Sequence, residues 1–274
     1  MPVSPAAAAP RGTLVVFGGG DDDLLLARLA AMLPHRHAPI EVLTTATRWQ
    51  PDRTAAAYAH VWAKLGCPHV GHLEVDEDHP ADDPATLERL RRAALVLLSG
   101  GDQERITDFL FDTEFLEILR ARYQQDADFI VAGTSAGAAA LAGQMLVGGQ
   151  GWRSLLAGRT GILPGLGLLP GVVLDQHFIE RQRYPRLMHA VLVHPQLLGL
   201  GLSEETGLIV YPEGPAEVIG DEVIVVIDGA GLTHNSVPHA ESGRNELVSG
   251  HGFRLHLLTA GQQLDMATRE ALLG

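Results

Sequence analysis

Short apolar runs alternate with amphipathic, helix-like segments through the first half of the chain. Each run is followed by a glycine or polar turn and then by a helical pattern; the runs are LVVF (14–17), IEVL (40–43), ALVLLS (94–99) and FIVA (129–132). This alternation is typical of β-α-β units, which place parallel strands in one sheet. Pro51 favours a helix start, and the pattern predicts a helix from Pro51 to about Lys64.

The pattern changes after about residue 205, where apolar strands follow one another closely. The strands are GLIVY (207–211), AEVIG (216–220) and VIVVIDG (223–229). The Gly220-Asp221-Glu222 segment between the last two has the composition of a hairpin turn, so these strands are expected to pair. The sequence therefore predicts an α/β fold with a largely parallel sheet and a β-rich C-terminal part.

Length and composition favour one globular domain. The chain has 274 residues, 46% of them hydrophobic and 19% charged, enough to bury a full core. Residues 1–12 have neither the basic nor the leucine-rich region of a secretory signal, so we expect a flexible N-terminal tail followed by a single catalytic domain over 13–274.

Charge and cysteine content narrow the classes of partner. The net charge is −13, with 20 basic residues against 33 acidic ones, which argues against a nucleic-acid partner. The most apolar stretch, 162–174, is broken by prolines and glycines and is too short to span a membrane. The single cysteine, Cys67, cannot form an internal disulfide, and a reducing cytoplasm fits best.

The motif GTSAGAAAL (133–141) places Ser135 between a predicted buried strand and a predicted helix over AAALAGQML (138–146). This strand-turn-helix context is the one that a nucleophilic serine on a sharp turn requires. The alternative is a serine that caps a helix of small residues.

A serine nucleophile needs a base and a group that orients the base. Of the thirteen histidines, His177 is the best placed, because it follows the short apolar strand at 172–174, and open α/β sheets gather their sites at the carboxyl ends of strands. Glu204 and Glu205 follow another apolar strand and are both candidates for the orienting acid. Two close histidine pairs, His35/His37 and His69/His72, lack an accompanying acid or cysteine set, so no metal site is predicted.

Four segments in order carry a family resemblance: LSGGDQERI (98–106), GTSAGAAAL (133–141), GLGLLPGVVLDQHFIERQRYPRL (165–187) and GLGLSEETGLIV (199–210). Together they resemble the cyanophycinase family, within the serine peptidases that also include aspartyl dipeptidase. The resemblance implies a flavodoxin-like or class I glutamine amidotransferase-like three-layer sandwich. It implies Ser135 as nucleophile, His177 as base and Glu204 as the acid. The implied substrate-binding residues are Gln103, Asp175, Gln176, Arg181, Arg183 and Arg186.

The residues themselves add two expectations. The backbone N–H groups of Gly101 and Ala136 are expected to form the oxyanion hole, whereas Asp102 has the character of a helix cap. A helix is expected to begin near Pro185 and to end before Pro195. Arg181 and Arg183 would then lie in irregular chain before that helix, free to converge with Arg186 on a carboxylate. Pairing with a structural acid such as Glu180 or Glu104 is an equal alternative for any one of these arginines and a weaker one for all three.

The resemblance also implies the reaction. Cyanophycin is a poly-aspartate backbone with arginine joined through isopeptide bonds, and the implied activity is release of β-aspartyl-arginine dipeptides without a metal ion or organic cofactor. The implied assembly is a homodimer. An aspartyl or isoaspartyl dipeptidase is the nearest enzymatic alternative, and a catalytically silent module that binds an acidic polymer is the alternative from another class.

Overall fold

A computed structural model of the chain describes residues 9–20, 23–240 and 245–274, so most of the predicted tail over 1–12 lies outside the described residues. The α-helices are α1 Asp23–Met32, α2 Pro51–Lys64, α3 Pro84–Arg92, α4 Gln103–Leu110, α5 Glu114–Gln125, α6 Ala136–Leu141 and α7 Tyr184–Val193. The strands are β1 Thr13–Phe17, β2 Ile40–Leu43, β3 Val70–Leu73, β4 Leu95–Leu98, β5 Ile130–Thr134, β6 Ala142–Gly148, β7 Thr160–Pro164, β8 Leu169–Asp175, β9 Leu198–Leu202, β10 Thr206–Val210, β11 Ala216–Gly220, β12 Ile224–Asp228, β13 His234–Asn235, β14 Gly250–His251, β15 Arg254–Leu258, β16 Gln263–Asp265 and β17 Glu270–Leu272. Short 3₁₀ helices cover Gly151–Leu155 and Val237–His239.

The first sheet contains nine strands within the described ranges, in the order β17-β16-β11-β10-β1-β5-β4-β2-β3. Neighbours from β1 to β3 are parallel, as the β-α-β pattern predicts. Neighbours from β1 to β17 are antiparallel and include the C-terminal strands. Helices cover both faces, with α1 and α2 on one side and α3 to α6 on the other. The predicted α/β sandwich is confirmed.

A second sheet, which the sequence did not indicate, contains six of the described strands in the order β15-β12-β9-β8-β6-β7. The predicted hairpin at Gly220-Asp221-Glu222 was therefore wrong. β11 pairs with β10 and β16 in the first sheet, whereas β12 pairs with β9 and β15 in the second. Both strands are apolar, so their composition does not reveal that the chain changes sheets at Gly220.

Helix α6 lies in the core between the two sheets, and all six of its residues are buried. Five of them, all except Gly137, share one apolar cluster with Val16 and Val131 of the first sheet and Leu174 and Leu200 of the second. The helix predicted over 138–146 was too long, because the chain leaves the helix after Leu141 to form β6, which pairs with β7 and β8. α7 packs on the outer face of the second sheet.

No helix in the described part of the chain is both long enough and apolar enough to cross a membrane.

Two glycines set how deeply α6 packs. A Cβ atom at Gly137 would lie 2.2 Å from the carbonyl oxygen of Leu98, and one at Gly133 would lie 2.6 Å from the carbonyl carbon of Gly137. Backbone atoms at these distances leave no room for a methyl group. The glycines on either side of Ser135 therefore let α6 approach β4 and β5.

Substitution of Gly137 by alanine should lower the free energy of unfolding by about 1–3 kcal/mol, because the new methyl group overpacks the core. Urea unfolding followed by circular dichroism measures this change. Gly231→Ala is the matched control, because its Cβ would meet only Gly252 O, at 3.3 Å. Equal unfolding free energies for the two variants would contradict the close-approach argument.

Candidate active site

Ser135 lies at the sharp turn between β5 and α6. Its backbone has φ 50° and ψ −114°, a conformation that L-residues rarely adopt and that a turn of this kind stores as strain. Its side chain accepts no hydrogen bond from the first turn of α6. The helix-cap alternative for Ser135 is thus not the arrangement in the structure.

The hydroxyl of Ser135 instead begins a chain of hydrogen bonds. Ser135 Oγ lies 2.7 Å from His177 Nε2, and His177 Nδ1 lies 2.5 Å from Glu204 Oε1. An ionised carboxylate only accepts hydrogen bonds, so Nδ1–H donates to Glu204 and, in the neutral ring, Nε2 accepts the serine proton. Of the two adjacent acids, Glu204 is the one in contact with the imidazole.

The end of β1 holds the backbone of these segments. The carbonyls of Phe17, Gly18 and Gly19 accept hydrogen bonds from the N–H groups of Ser135, His177 and Glu205, at 3.0, 3.0 and 2.8 Å. One short stretch of backbone therefore positions the serine turn, the histidine and the acid-bearing loop.

Sequence reasoning missed the glycines of this stretch as site residues. A Cβ atom at Gly19 would lie 2.4 Å from Cε1 of His177, and one at Gly20 would lie 2.8 Å from Cβ of Glu204. Both have positive φ, 102° and 93°. Three consecutive glycines directly after the first buried strand were the signal, since such a run permits close backbone approach.

The surroundings of His177 favour the neutral imidazole. Burial is the largest cause that lowers its pKa below the ordinary 6.5, and the positive charges of Arg181 and Arg183 add to it. The hydrogen bond and the charge of Glu204 oppose this shift. A neutral ring can accept a proton at pH 7, as a general base must.

The backbone N–H groups of Gly101 and Ala136 have no acceptor among the described residues, and the same holds for that of Gly100. Gly101 adjoins Gly100, where a Cβ atom would lie 3.7 Å from Ser135 Oγ. Asp102 accepts a hydrogen bond from Glu104 N at 3.1 Å and caps α4, as its sequence position indicates.

Asp175 is fully buried and binds two of the three arginines that follow it. Its carboxylate accepts hydrogen bonds from Arg183 Nη1 at 3.0 Å, from Arg186 Nε at 2.6 Å and from Arg186 Nη2. The arginine partners suggested by the sequence, Glu180 and Glu104, are thus replaced by Asp175. Asp175 consequently positions the two guanidinium groups and has no free face for another molecule.

A cavity of about 420 Å³ lies beside these arginines, lined by Arg181, Arg183, Arg186 and the segment 148–151. Burial and then the charges of Arg186 and Arg181 lower the pKa of Arg183, against the effect of Asp175. Several guanidinium groups crowded around one cavity make it suited to an anion.

The two glutamines implied as substrate-binding residues have different hydrogen-bond partners. Gln176 is buried, and its backbone carbonyl accepts a hydrogen bond from Arg183 Nη1 at 2.6 Å. Gln103 donates from Nε2 to Leu146 O at 2.8 Å, which ties α4 to β6. Arg181 and Arg183 precede α7, as predicted.

The histidine pairs also find partners. Asp52 and Glu74 come close enough to His72 to share an ion with it, and Glu74, two residues after His72, was an acid that the sequence analysis overlooked. His72 already bonds Thr44 Oγ1 at 2.7 Å and Asp52 at 3.3 Å. This group lies at the β3 edge of the first sheet, and none of its members contacts the Ser135, His177 and Glu204 side chains.

Comparison with known proteins gives concordant matches. The sequence profile of peptidase family S51 matches residues 13–218. A cyanophycinase from Trichormus variabilis is 32% identical over 268 residues, which cover 96% of this chain and 89% of the relative. A cyanophycinase from Geminocystis herdmanii is 28% identical, with coverage of 96% and 97%. The crystal structure of a peptidase from an acI-B1 Actinobacterium has the same fold, with a TM-score of 0.69, 20% identity and coverage of 94% of this chain and 98% of that one.

Arg181→Gln should raise the pKa of His177, because it removes a positive charge that disfavours the imidazolium. Histidine ring signals followed by NMR across a pH titration report the change, and a His177→Gln variant assigns the signal. Arg181→Lys keeps the charge and should titrate like the unmodified protein. An unchanged pKa in Arg181→Gln would contradict the assigned cause.

Proposed function

Because the chain belongs to peptidase family S51, and is thus a serine-type peptidase, we propose that it hydrolyses cyanophycin to β-aspartyl-arginine dipeptides. The hydrogen-bond chain from Ser135 through His177 to Glu204, beside an arginine-lined cavity, carries this proposal. Cyanophycinases among the curated relatives support the choice of substrate.

Acylation begins at Ser135. His177 Nε2 takes the hydroxyl proton while Oγ attacks a backbone aspartyl carbonyl, and Glu204 stabilises the imidazolium that forms. The N–H groups of Gly101 and Ala136 donate to the developing oxyanion, a task for which their lack of protein acceptors suits them.

The intermediate then breaks down. The proton on His177 passes to the leaving amine nitrogen, the C–N bond breaks, and an acyl-enzyme remains on Ser135. A water molecule loses its proton to His177 and attacks the ester carbonyl, and the return of that proton to Oγ releases the acid product and free serine. Every proton in this cycle passes through His177 Nε2.

Carboxylate recognition selects the substrate. Each aspartyl unit of cyanophycin carries an isopeptide-linked arginine whose α-carboxylate is free, so anionic groups lie close to the scissile bond. Arg181, Arg183 and Arg186 bind them in the cavity of about 420 Å³. The excess of acidic residues elsewhere favours approach of the polymer's arginine side chains. A cytoplasmic homodimer completes the proposal, on the strength of the resemblance and the single cysteine.

Ser135→Ala should lower kcat on cyanophycin by about 10⁴- to 10⁶-fold, because the variant lacks the hydroxyl that attacks the carbonyl. Dipeptide release is followed by mass spectrometry. Undiminished release by this variant would overturn the serine mechanism, and binding without release by the unmodified protein would favour a silent binding module.

Glu204→Gln should lower kcat by about 10⁴-fold, since an amide no longer fixes the imidazole tautomer. Glu205→Gln is the matched control, because Glu205 does not contact His177.

Aspartyl and isoaspartyl dipeptides are offered to the unmodified protein in parallel with the polymer. A preference for the dipeptides would replace the proposed substrate and leave the serine chemistry in place.

A further inference from the structure

A second cavity, of about 980 Å³, adjoins the arginine-lined one. The segment Gly149-Gln150-Gly151 lines both, so the two cavities meet along it. The second is bordered further by Trp152, Arg153, Arg159 and Leu247. We call it the outer groove.

The outer groove is basic although the chain is acidic. Arg153 and Arg159 are exposed, and neither forms an ion pair with any carboxylate in the described ranges. Four of the ten other exposed arginines in the described ranges pair with carboxylates, for example Arg91 with Glu114 and Arg92 with Glu88. In a chain of net charge −13, two arginines that line the same groove and have no carboxylate partner there make the groove suited to an external anion.

The groove also presents an aromatic face. Trp152 is 62% exposed and Leu247 is 61% exposed, which leaves large apolar side chains in water. The guanidinium of Arg153 lies 5.8 Å from the centroid of the Trp152 ring. The face of an indole ring attracts cations. Anion-binding and cation-binding groups thus stand side by side.

The wall of the groove is held in place by the active-site region. Arg186 Nη1 donates to Gly148 O at 2.9 Å, and His189 Nδ1 donates to Ser154 O at 2.5 Å. Leu155 packs against the cluster formed by Leu192 and Val248. These contacts tie the segment between β6 and β7 to α7, so the groove is a formed surface.

We propose that the outer groove binds a further β-aspartyl-arginine unit of the substrate, beyond the two units that flank the scissile bond. Each unit carries one α-carboxylate and one guanidinium. Arg153 and Arg159 bind the carboxylate, and the Trp152 face receives the guanidinium. The inference rests on the proposed function, and it makes the enzyme selective for chains longer than two units.

The test compares kcat/KM for two-unit and four-unit oligomers of β-aspartyl-arginine. In the double variant Arg153→Gln/Arg159→Gln, the four-unit to two-unit ratio should fall about tenfold, mainly through KM for the longer oligomer, because exposed pairs each contribute modestly. Trp152→Ala should lower the same ratio. Arg91→Gln/Arg92→Gln makes the same charge change on exposed α3 and should keep the ratio of the unmodified protein.

The outcomes separate the two proposals. An unchanged ratio in Arg153→Gln/Arg159→Gln, with both oligomers cleaved, would overturn the outer groove and leave the proposed function standing. An equal fall in Arg91→Gln/Arg92→Gln would also overturn it, because net charge alone would then explain the effect. If the unmodified protein cleaves neither oligomer, the proposed function fails and the groove proposal fails with it.

Discussion

Three consecutive carbonyls at the end of β1 connect the segments that carry Ser135, His177 and Glu204. Phe17, Gly18 and Gly19 accept hydrogen bonds from the backbones of Ser135, His177 and Glu205, segments that are far apart in sequence. A single hydrogen bond of this kind contributes about 1 kcal/mol to stability, but the set fixes three loops against one another. The closeness of these loops is also why the stretch is built from glycine, since side chains at Gly19 and Gly20 would occupy the space of His177 and Glu204.

The buried carboxylate of Asp175 organises the other half of the site. It lies at the end of β8, two residues before His177, and it holds the guanidinium groups of Arg183 and Arg186. Removing one partner from a buried ion pair typically costs about 3–5 kcal/mol, so this arrangement tolerates little change. Arg186 extends the connection to Gly148, and one acid thereby connects the arginine-lined cavity to the wall of the outer groove.

Local signals in the sequence sufficed for much of this arrangement. The parallel strands, the bounds of α2 and the start of α7 near Pro185 follow from periodicity and proline. Ser135 and His177 were predicted together because strand ends collect at one edge of a sheet. Other features depend on long-range packing and left no local trace. β11 and β12 are equally apolar yet belong to different sheets. The resemblance implies Asp175 as a substrate contact, and the sequence does not show that two arginines enclose its carboxylate.

The contact between Ser135 and His177 joins two sheets. Ser135 ends a strand of the first sheet and His177 follows a strand of the second, with α6 packed between the layers. Their hydrogen bond, 2.7 Å long, therefore depends on how the two sheets are aligned. A sliding displacement of about 1 Å between the sheets would leave every strand and helix intact but would break this hydrogen bond. The proton transfer proposed for Ser135 and His177 would therefore be lost to shear between the sheets before the architecture is lost.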